Sequence, residues 1–453
     1  MSTFLLRRPI PNLLCSPYRS TAPRIGPGLH RSLRKLTMLS ALVGVGTLST
    51  VALADSAEVS GQVRGAWLDR QVADAGPLAQ ANQLQAGSAT VEPSAATVQA
   101  ELRASGNAGP FTLHAVATVQ ARRPQGGTTV SDGRLNEAYA SGKALGWQWS
   151  AGKKVVSWDV GYGFRPNDMV QQEVRRALAS EALTGNPMLM AEHFDADTAW
   201  SLVWVNPLEA QAETQPRSGN NEAALAARVY RRAGAVDWHS FARQGEHTGT
   251  SVGVAASWVA SDAIELHASV RAYQHVNSMR STNTGTGLSA TNPWQATRSG
   301  PGQQLLVGGS WTHESQIGLM VEAWHDDTAL SDAQWSHWTA RNQALPLWLN
   351  RRIPASAVAG NLAWQGNAFG ASSNLRQDNV FVRLSWQHER WQTALDVLYH
   401  PADQGRITTA SVQWGGDRIK LEAGFRTYDG PQSAIARQLP VQRQGYGVCT
   451  WAF

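Results

Sequence analysis

The sequence predicts an all-β protein built as one transmembrane antiparallel β-barrel of about 18 strands (16–18), with a short helix inserted in a long loop. Apolar and polar residues alternate along stretches of about 9–13 residues, as in strands that have one apolar and one polar face. Short turns and long polar segments join these stretches in alternation, which is typical of bacterial outer-membrane barrels. All 19 tryptophans follow the first 54 residues, and several lie near strand ends.

The N-terminal segment, residues 1–54, predicts a signal peptide that precedes a barrel spanning residues 55–453. It has basic residues from Arg7 to Lys35 and no acidic residue, followed by an apolar run from Met38 to Ala54 that ends in a small-x-small pattern. These are the parts of a cleaved export signal, so we expect cleavage before Asp55. A membrane anchor is the alternative, although the run is short and rich in Gly, Ser and Thr.

Charge and cysteine content narrow the class of protein further. The whole chain has 39 basic and 34 acidic residues, and seven of the basic residues lie in the leader, which leaves 32 against 34. The alkaline character therefore belongs to the leader and does not indicate nucleic-acid binding. Cys449 is the one cysteine outside the leader, so the exported chain is expected to form no internal disulfide.

The alternation locates the strands individually, and the even total puts both chain ends on the periplasmic side. The soluble alternatives, a sandwich or a propeller, are disfavoured because sandwich strands are shorter and no fixed repeat is present. The predicted strands lie near 59–71, 97–106, 110–122, 134–142, 145–158, 187–195, 198–206, 222–233, 235–244, 248–260, 263–276, 303–313, 316–326, 376–388, 391–400, 406–415, 418–428 and 443–453.

The polar face of these strands predicts a lumen lined by charged residues, with bases in excess over acids. Such a wall suits a water-filled path for a polar or anionic solute. Arginine–carboxylate ladders that stiffen the barrel are an equally open interpretation. The predicted lumen residues are Glu101, Arg103, His114, Arg228, Arg232, His267, Arg271, Glu322, Arg383, Lys420, Glu422 and Arg426.

Tryptophans on the apolar face, such as Trp258, Trp311 and Trp386, suit girdles at the two membrane interfaces. Further tryptophans fall in the long loops, at 294, 335, 338, 348 and 364. These either stack on sugar rings or apolar ligands, or pack the loops against the barrel.

One segment, residues 156–187, breaks the two-residue period. Asn167 or Asp168 is placed to cap a short helix that runs to about Leu183, where Gly185 and Pro187 end it. The density of charge favours folding of this loop into the lumen. We expect a pore constriction formed by Arg165, Asp168, Glu173, Arg175 and Arg176.

Two resemblances support the barrel. Trp451 and Phe453 at the chain end resemble the C-terminal signature of outer-membrane barrels, which implies that they form the insertion signal. The strand end Gly152–Trp158 and the Gly/Phe/Pro/Asn/Asp loop after it are similar to a segment of the alginate-export and related single-chain porin-like families. This second resemblance covers about 55 of 453 residues, with Lys153-Lys154 where those families favour Arg, and implies a monomeric solute or polymer channel.

Motifs for enzymatic chemistry are weak. His267 and Ser269 share a strand face, and acidic groups with a histidine occur near Asp195 and Asp327, but turn chemistry explains these as well. A Walker loop, a His-Glu-x-x-His pattern and a dinucleotide fingerprint are absent from the sequence, so no cofactor and no metal are expected.

The most consistent interpretation is a channel in a Gram-negative outer membrane for passive passage of polar or anionic solutes. The first alternative is the barrel of a polysaccharide or lipid export or surface-assembly system, and the weaker alternative is an outer-membrane hydrolase. The expected partners are outer-membrane lipid, the barrel-assembly machinery and a small polar or anionic solute, with no nucleic acid.

Overall fold

The computed structural model describes residues 57–171, 178, 182–206 and 222–453. Eighteen strands form one antiparallel sheet, and the first strand pairs both with the second and with the last. The sheet is therefore a closed barrel, which confirms the predicted fold class and the predicted number of strands.

The barrel strands are numbered in chain order together with a separate hairpin, β12–β13, in one of the long connections. They are β1 (Ala57–Val72), β2 (Ala95–Ala108), β3 (Phe111–Pro124), β4 (Val130–Ala144), β5 (Trp147–Lys154), β6 (Asn186–Phe194), β7 (Thr198–Val205), β8 (Ala224–Ala233), β9 (Val236–Gly245), β10 (Gly249–Ser261), β11 (Ile264–Tyr273), β12 (Val276–Ser281), β13 (Trp294–Ser299), β14 (Gly302–Thr312), β15 (Ile317–Asp326), β16 (Asp378–His388), β17 (Trp391–His400), β18 (Gly405–Gly415), β19 (Ile419–Asp429) and β20 (Val441–Ala452).

The two-residue alternation of the sequence is what turns one face of each strand outward. On β3, Phe111, Leu113 and Val119 are exposed, whereas Thr118 between them is buried. A belt of exposed Val, Leu, Ile and Trp side chains continues over the other strands. A closed barrel with an apolar exterior satisfies its backbone hydrogen bonds internally and presents lipid-compatible side chains outward.

The chain closes on itself where the two terminal strands meet. Trp451 lies opposite Val63, and Gly61 and Phe453 exchange two backbone hydrogen bonds of 3.1 and 2.9 Å. The predicted insertion residues Trp451 and Phe453 therefore lie at the seam of the barrel, and their role in insertion stays a prediction.

Connections at one end of the barrel are short turns, and most of the connections at the other end are longer. The largest of the longer ones contains α2 (Asp332–Ala344) and α3 (Ala355–Trp364), each continued by a 3₁₀ turn. Ser331 begins α2 with a capping box, in which its hydroxyl accepts from the Gln334 amide. A further helix, α1 (Pro77–Leu84), lies between β1 and β2.

These helices and the β12–β13 hairpin pack together and form what we call the cap. Leu345, Val358 and Leu362 pack with Leu78 of α1 in one cluster. A second cluster contains Trp294, Trp335 and Trp338, and the last two rings meet edge to face at 5.2 Å. For these three tryptophans, packing is therefore the role that the structure supports.

The helix predicted within 156–187 is wrong over the part that the structure describes, because Asn167 to Gln171 form no helix. Asn167, Met169 and Val170 instead contact the wall. Asp168 and Gln171 make their hydrogen bonds within the segment itself. Most of the remainder of that helix, and the predicted leader 1–54, lie outside the described residues.

Within the described ranges, no helix is long and apolar enough to cross a membrane.

We expect the stability of the barrel to respond differently to a charge added on the outer face and one added on the inner face of the wall. Val119 is 57% exposed on the outside, and its neighbour Gln120 faces the interior. We expect Val119→Arg to lower the free energy of unfolding in lipid by about 2–4 kcal/mol, because a guanidinium near the middle of the apolar belt loses its hydration. Gln120→Arg, the matched control, is expected to change stability little. Denaturant titration of the protein refolded in vesicles measures both, and an equal loss in the two variants contradicts this assignment of the faces.

Candidate functional site

The inner wall of the barrel has two unlike halves. On strands β6–β10 and β14–β17, several inward positions carry apolar side chains, among them Met188, Val203, Phe241, Leu306 and Phe381. Inward apolar residues are unexpected in a barrel whose interior is filled with water. They are explained by residues 155–171, here called the inner loop, which lie against them.

The inner loop enters the barrel after β5 and packs its own apolar residues into this half of the wall. Trp158, Met169 and Val170 join the cluster that includes Phe241. Farther around the barrel, Phe164 stacks on Trp324 at 5.7 Å between ring centroids. Folding of the loop into the lumen thus follows from burial of large apolar side chains on both partners.

A buried carboxylate fastens the middle of the inner loop. Glu322 of β15 is fully buried and accepts hydrogen bonds from the backbone amides of Tyr162 and Gly163, both at 2.6 Å. Its oxygen Oε1 also lies 2.9 Å from His267 Nε2. Two amides and an imidazole compensate the loss of hydration of this carboxylate, which is otherwise very costly.

A second anchor lies four residues farther along the loop, at Asn167. Asn167 Nδ2 donates to Ser269 Oγ at 2.8 Å and to the Val270 carbonyl at 3.2 Å. Ser269 in turn donates to the carboxylate of Asp159 at 2.8 Å, and that carboxylate also accepts from the Asn167 amide. Burial raises the pKa of Asp159, although these hydrogen bonds act in the opposite direction.

Arg165 and Asp168 hold the loop to itself. Their side chains are 8% and 0% exposed, and Arg165 Nε lies 3.5 Å from the Asp168 carboxylate. Asp168 accepts from the Trp158 amide at 2.8 Å, and Arg165 donates to the Asp159 carbonyl and the Ser157 hydroxyl. Burial raises the pKa of Asp168 to about 6, against the opposing effect of Arg165.

Arg165 and Asp168 were predicted to form part of a pore constriction, but they lie inside the loop. Arg165 and Asp168 do not present charge to open lumen, because their hydrogen bonds and ion pair are used inside the loop. Glu173, Arg175 and Arg176 lie outside the described residues. Their place in a constriction stays a prediction.

Three predicted lumen residues are also covered by the inner loop. His267 and Glu322 are buried beneath it, and Arg271 donates to the Pro166 carbonyl at 3.3 Å and to Ser251 Oγ at 3.1 Å. They occupy the inner face that the alternation predicts, but they position the loop rather than line an open path.

The opposite half of the wall, formed by β1–β4, β19 and β20, borders a cavity of about 450 Å³ that we call the inner chamber. Arg103 is 63% exposed toward it, whereas its ion-pair partner Glu101, at 2.8 Å, is 5% exposed. Lys420 is exposed as well, and the Glu422 carboxylate accepts from the Tyr446 hydroxyl at 2.8 Å. The accessible charges are therefore mainly positive.

The remaining predicted lumen residues contact polar or aromatic neighbours. His114 stacks on Tyr139, Arg228 lies 3.2 Å from His239 Nδ1, and Arg232 is exposed near the end of β8. Arg383 donates to both oxygens of Asp396 at 2.9 Å, and Arg426 donates to Thr409. The Arg383–Asp396 pair matches the ladder alternative. Whether these residues line a conducting pore stays a prediction.

Two inward glycines complete the site, and the sequence analysis did not single them out. A Cβ atom at Gly253 would overlap Asn167 Oδ1, and one at Gly308 would lie 2.6 Å from Glu322 Cγ and 2.7 Å from His267 Nε2. Each glycine leaves the space that an anchor needs. A glycine at an inward position of an otherwise regular strand was the available signal.

The His267 and Ser269 side chains, which were considered for catalysis, are used elsewhere. His267 Nε2 faces Glu322, and Ser269 donates to Asp159, so the two side chains do not form a nucleophile–base pair in this arrangement. In the described ranges, no three His, Cys, Asp or Glu side chains are grouped to hold a metal ion.

No protein-family model and no curated protein matches the chain. Solved structures share its fold. Pseudomonas aeruginosa OpdK with vanillate is 9% identical with a TM-score of 0.52, over 88% of this chain and 99% of that one. Pseudomonas aeruginosa OccD3 (OpdP) is 9% identical with a TM-score of 0.51, over 88% and 92%. Acinetobacter baumannii OccAB2 is 10% identical with a TM-score of 0.50, over 88% and 97%. The structural neighbours are Gram-negative outer-membrane porins.

The Glu322 anchor predicts the response of the loop to substitution. In Glu322→Gln, one oxygen that accepts a loop amide becomes an amide donor, and the unpaired group costs about 1–3 kcal/mol. We expect amide hydrogen exchange at Tyr162 and Gly163 to rise at least about tenfold. Glu422→Gln makes the same change on the half of the wall that borders the inner chamber. It is expected to leave the Tyr162 and Gly163 amides protected. Unchanged exchange in Glu322→Gln contradicts the anchor.

The raised pKa of Asp168 predicts a pH dependence of the same loop. Because the folded loop binds the proton more tightly than an unfolded one, loop stability is greatest below about pH 4. It falls as pH rises through about 6, by up to about 3 kcal/mol. Exchange of the Trp158 amide, corrected for its intrinsic rate, is expected to quicken over this interval. Asp168→Asn is expected to weaken the dependence, and an equally steep profile in that variant assigns it to another group, such as Asp159.

Proposed function

We propose that the protein is a channel in the outer membrane of a Gram-negative bacterium, through which small polar and preferably anionic solutes diffuse passively. The observation that carries the proposal is the unequal lumen. One half of the wall holds the inner loop in place, and the other half borders a chamber with accessible cationic side chains.

The charge distribution supports preference for anions over cations. In the inner chamber, Arg103 and Lys420 reach solvent, whereas Glu101 is buried against Arg103 and Gln62. The Glu137 carboxylate accepts from the Val155 amide at 2.8 Å. Fixed positive charge in a narrow aqueous path raises the local concentration of anions and repels cations.

The apolar exterior supports the membrane location, since side chains such as Val119 and Val307 would face water in any soluble protein of this fold. An export signal at residues 1–54 and insertion through Trp451 and Phe453 belong to the same proposal. Outer-membrane lipid and the barrel-assembly machinery are then the partners. OpdK, which shares the fold, was crystallised with vanillate, an anion at neutral pH.

Planar-bilayer recording tests the function directly. The protein without its predicted leader is expected to give stable single-channel currents with permeability for chloride above that for potassium. Arg103→Gln with Lys420→Gln is expected to lower that ratio several-fold, because both exposed cations leave the chamber. Arg390→Gln, which removes a 57% exposed cation from a short turn at the rim, is the matched control and is expected to change it little.

Two results count against the proposal. A protein that inserts but never conducts contradicts the passive channel and favours the export or assembly alternative. Selectivity for cations, or selectivity unaffected by the double substitution, places the conducting path away from the inner chamber.

A further inference from the structure

A second cavity, of about 650 Å³, lies under the cap and is here called the outer vestibule. It is bordered by α3, the connection between β1 and β2, and inward residues of β1 and β20, and it shares no lining residue with the inner chamber. Its volume falls within the range of about 300–1,000 Å³ usual for small-molecule sites. A solute entering from the cap end meets this cavity before the inner chamber.

Trp364 gives the outer vestibule a fixed aromatic wall. The residue ends α3, packs against the cap cluster of Trp335 and Trp338, and also lines the cavity. Contact with the cluster fixes the position of the ring before any ligand arrives. A rigid, half-covered indole offers a large contact area at low entropic cost.

Amide side chains surround this aromatic wall. Asn292 Oδ1 accepts from the Trp294 amide at 3.1 Å and from Asn367 Nδ2 at 3.4 Å. Gln444 Oε1 accepts from the Tyr428 hydroxyl at 3.2 Å. These bonds orient the amides, whose further donor and acceptor positions suit a ligand that bears several hydroxyl groups.

The charges at the wall of the vestibule compensate each other. Arg70 Nη2 lies 2.8 Å from Glu92, and Arg70 Nη1 donates to the Pro93 carbonyl at 2.8 Å. Arg122, which does not line the cavity, lies 3.6 Å from the same carboxylate. The lining therefore contains one cation and one anion, already paired, in contrast to the exposed cations of the inner chamber.

We propose that the outer vestibule binds an uncharged sugar ring, which stacks on Trp364 and hydrogen-bonds to Asn292, Asn367 and Gln444. This inference rests on the proposed channel and specifies a class of solute that it admits. An aromatic ring would fill the space but leave the amides unpaired, and a small anion would find Arg70 already engaged. Ring hydroxyls satisfy the amides, and the C–H face of the ring covers the indole.

Maltose is the probe for this test. Added on the cap side, it is expected to interrupt the ion current of single channels in a concentration-dependent way. Trp364→Ala is expected to raise the half-blocking concentration about tenfold, because the stacking surface is lost. Trp348→Ala is the matched control. That tryptophan lies in the same connection, donates to the Thr286 carbonyl at 3.2 Å and does not line the vestibule.

Gly360 allows the opposite test, in which the vestibule is filled. It lines the cavity from within α3, and a Cβ atom there would meet nothing within 4 Å. Gly360→Leu is therefore expected to abolish the maltose block without a clash at the backbone. Gly360→Ala is expected to leave the block in place, and removal of a glycine from a helix favours the folded state of both variants.

Calorimetry of the full chain in detergent separates this inference from the proposed function. Maltose binding that requires Trp364 in a protein that does not conduct supports the vestibule site and contradicts the channel. Conduction without maltose binding overturns the sugar site and leaves the channel standing. Binding of gluconate or benzoate in preference to maltose, or equal loss of binding in Trp348→Ala and Trp364→Ala, also overturns it.

Discussion

The buried carboxylate of Glu322 is the interaction on which the interior depends. A carboxylate without water is stable in a protein only when donors surround it, and two of its donors here are backbone amides of the inner loop. Without the loop, the buried Glu322 carboxylate would keep only His267 as a hydrogen-bonding partner. The loop and the wall therefore fold as one unit, and the aromatic contacts of Phe164 and Tyr162 follow from the position that this anchor sets.

An 18-stranded barrel encloses more space than its own side chains fill, so selectivity has to come from what occupies the lumen. The inner loop occupies one side, against the apolar inward residues of β6–β10 and β14–β17. The passage is thereby displaced toward β1–β4, β19 and β20, where the charged residues lie. One half of the wall thus binds the inner loop, and the opposite half contacts the solute.

The sequence predicted the barrel and its strand number, and it placed charged strand residues such as Glu101 and Glu322 on the inner face, because a two-residue period reports the orientation of a side chain locally. It did not predict which inward residues meet the loop. His267 and Lys420 have the same periodic signature, yet the first is buried and the second is exposed. That difference depends on contacts between residues far apart in the sequence, as the Asn167–Ser269 hydrogen bond, 102 residues apart, shows. The helix expected near Asn167 failed for the same reason, since the polar groups of this residue bond to the wall.

Passage through a channel requires that each site bind weakly enough to release the solute to the next. The two cavities meet this condition by different chemistry. The outer vestibule offers one open aromatic face and amides, with its charges already paired, and the inner chamber offers exposed cations without an aromatic platform. A sugar ring held at the first site by stacking forms no ion pair there, because Arg70 and Glu92 are already paired. Because stacking and cationic contacts are divided between two cavities, the arrangement favours transit over retention.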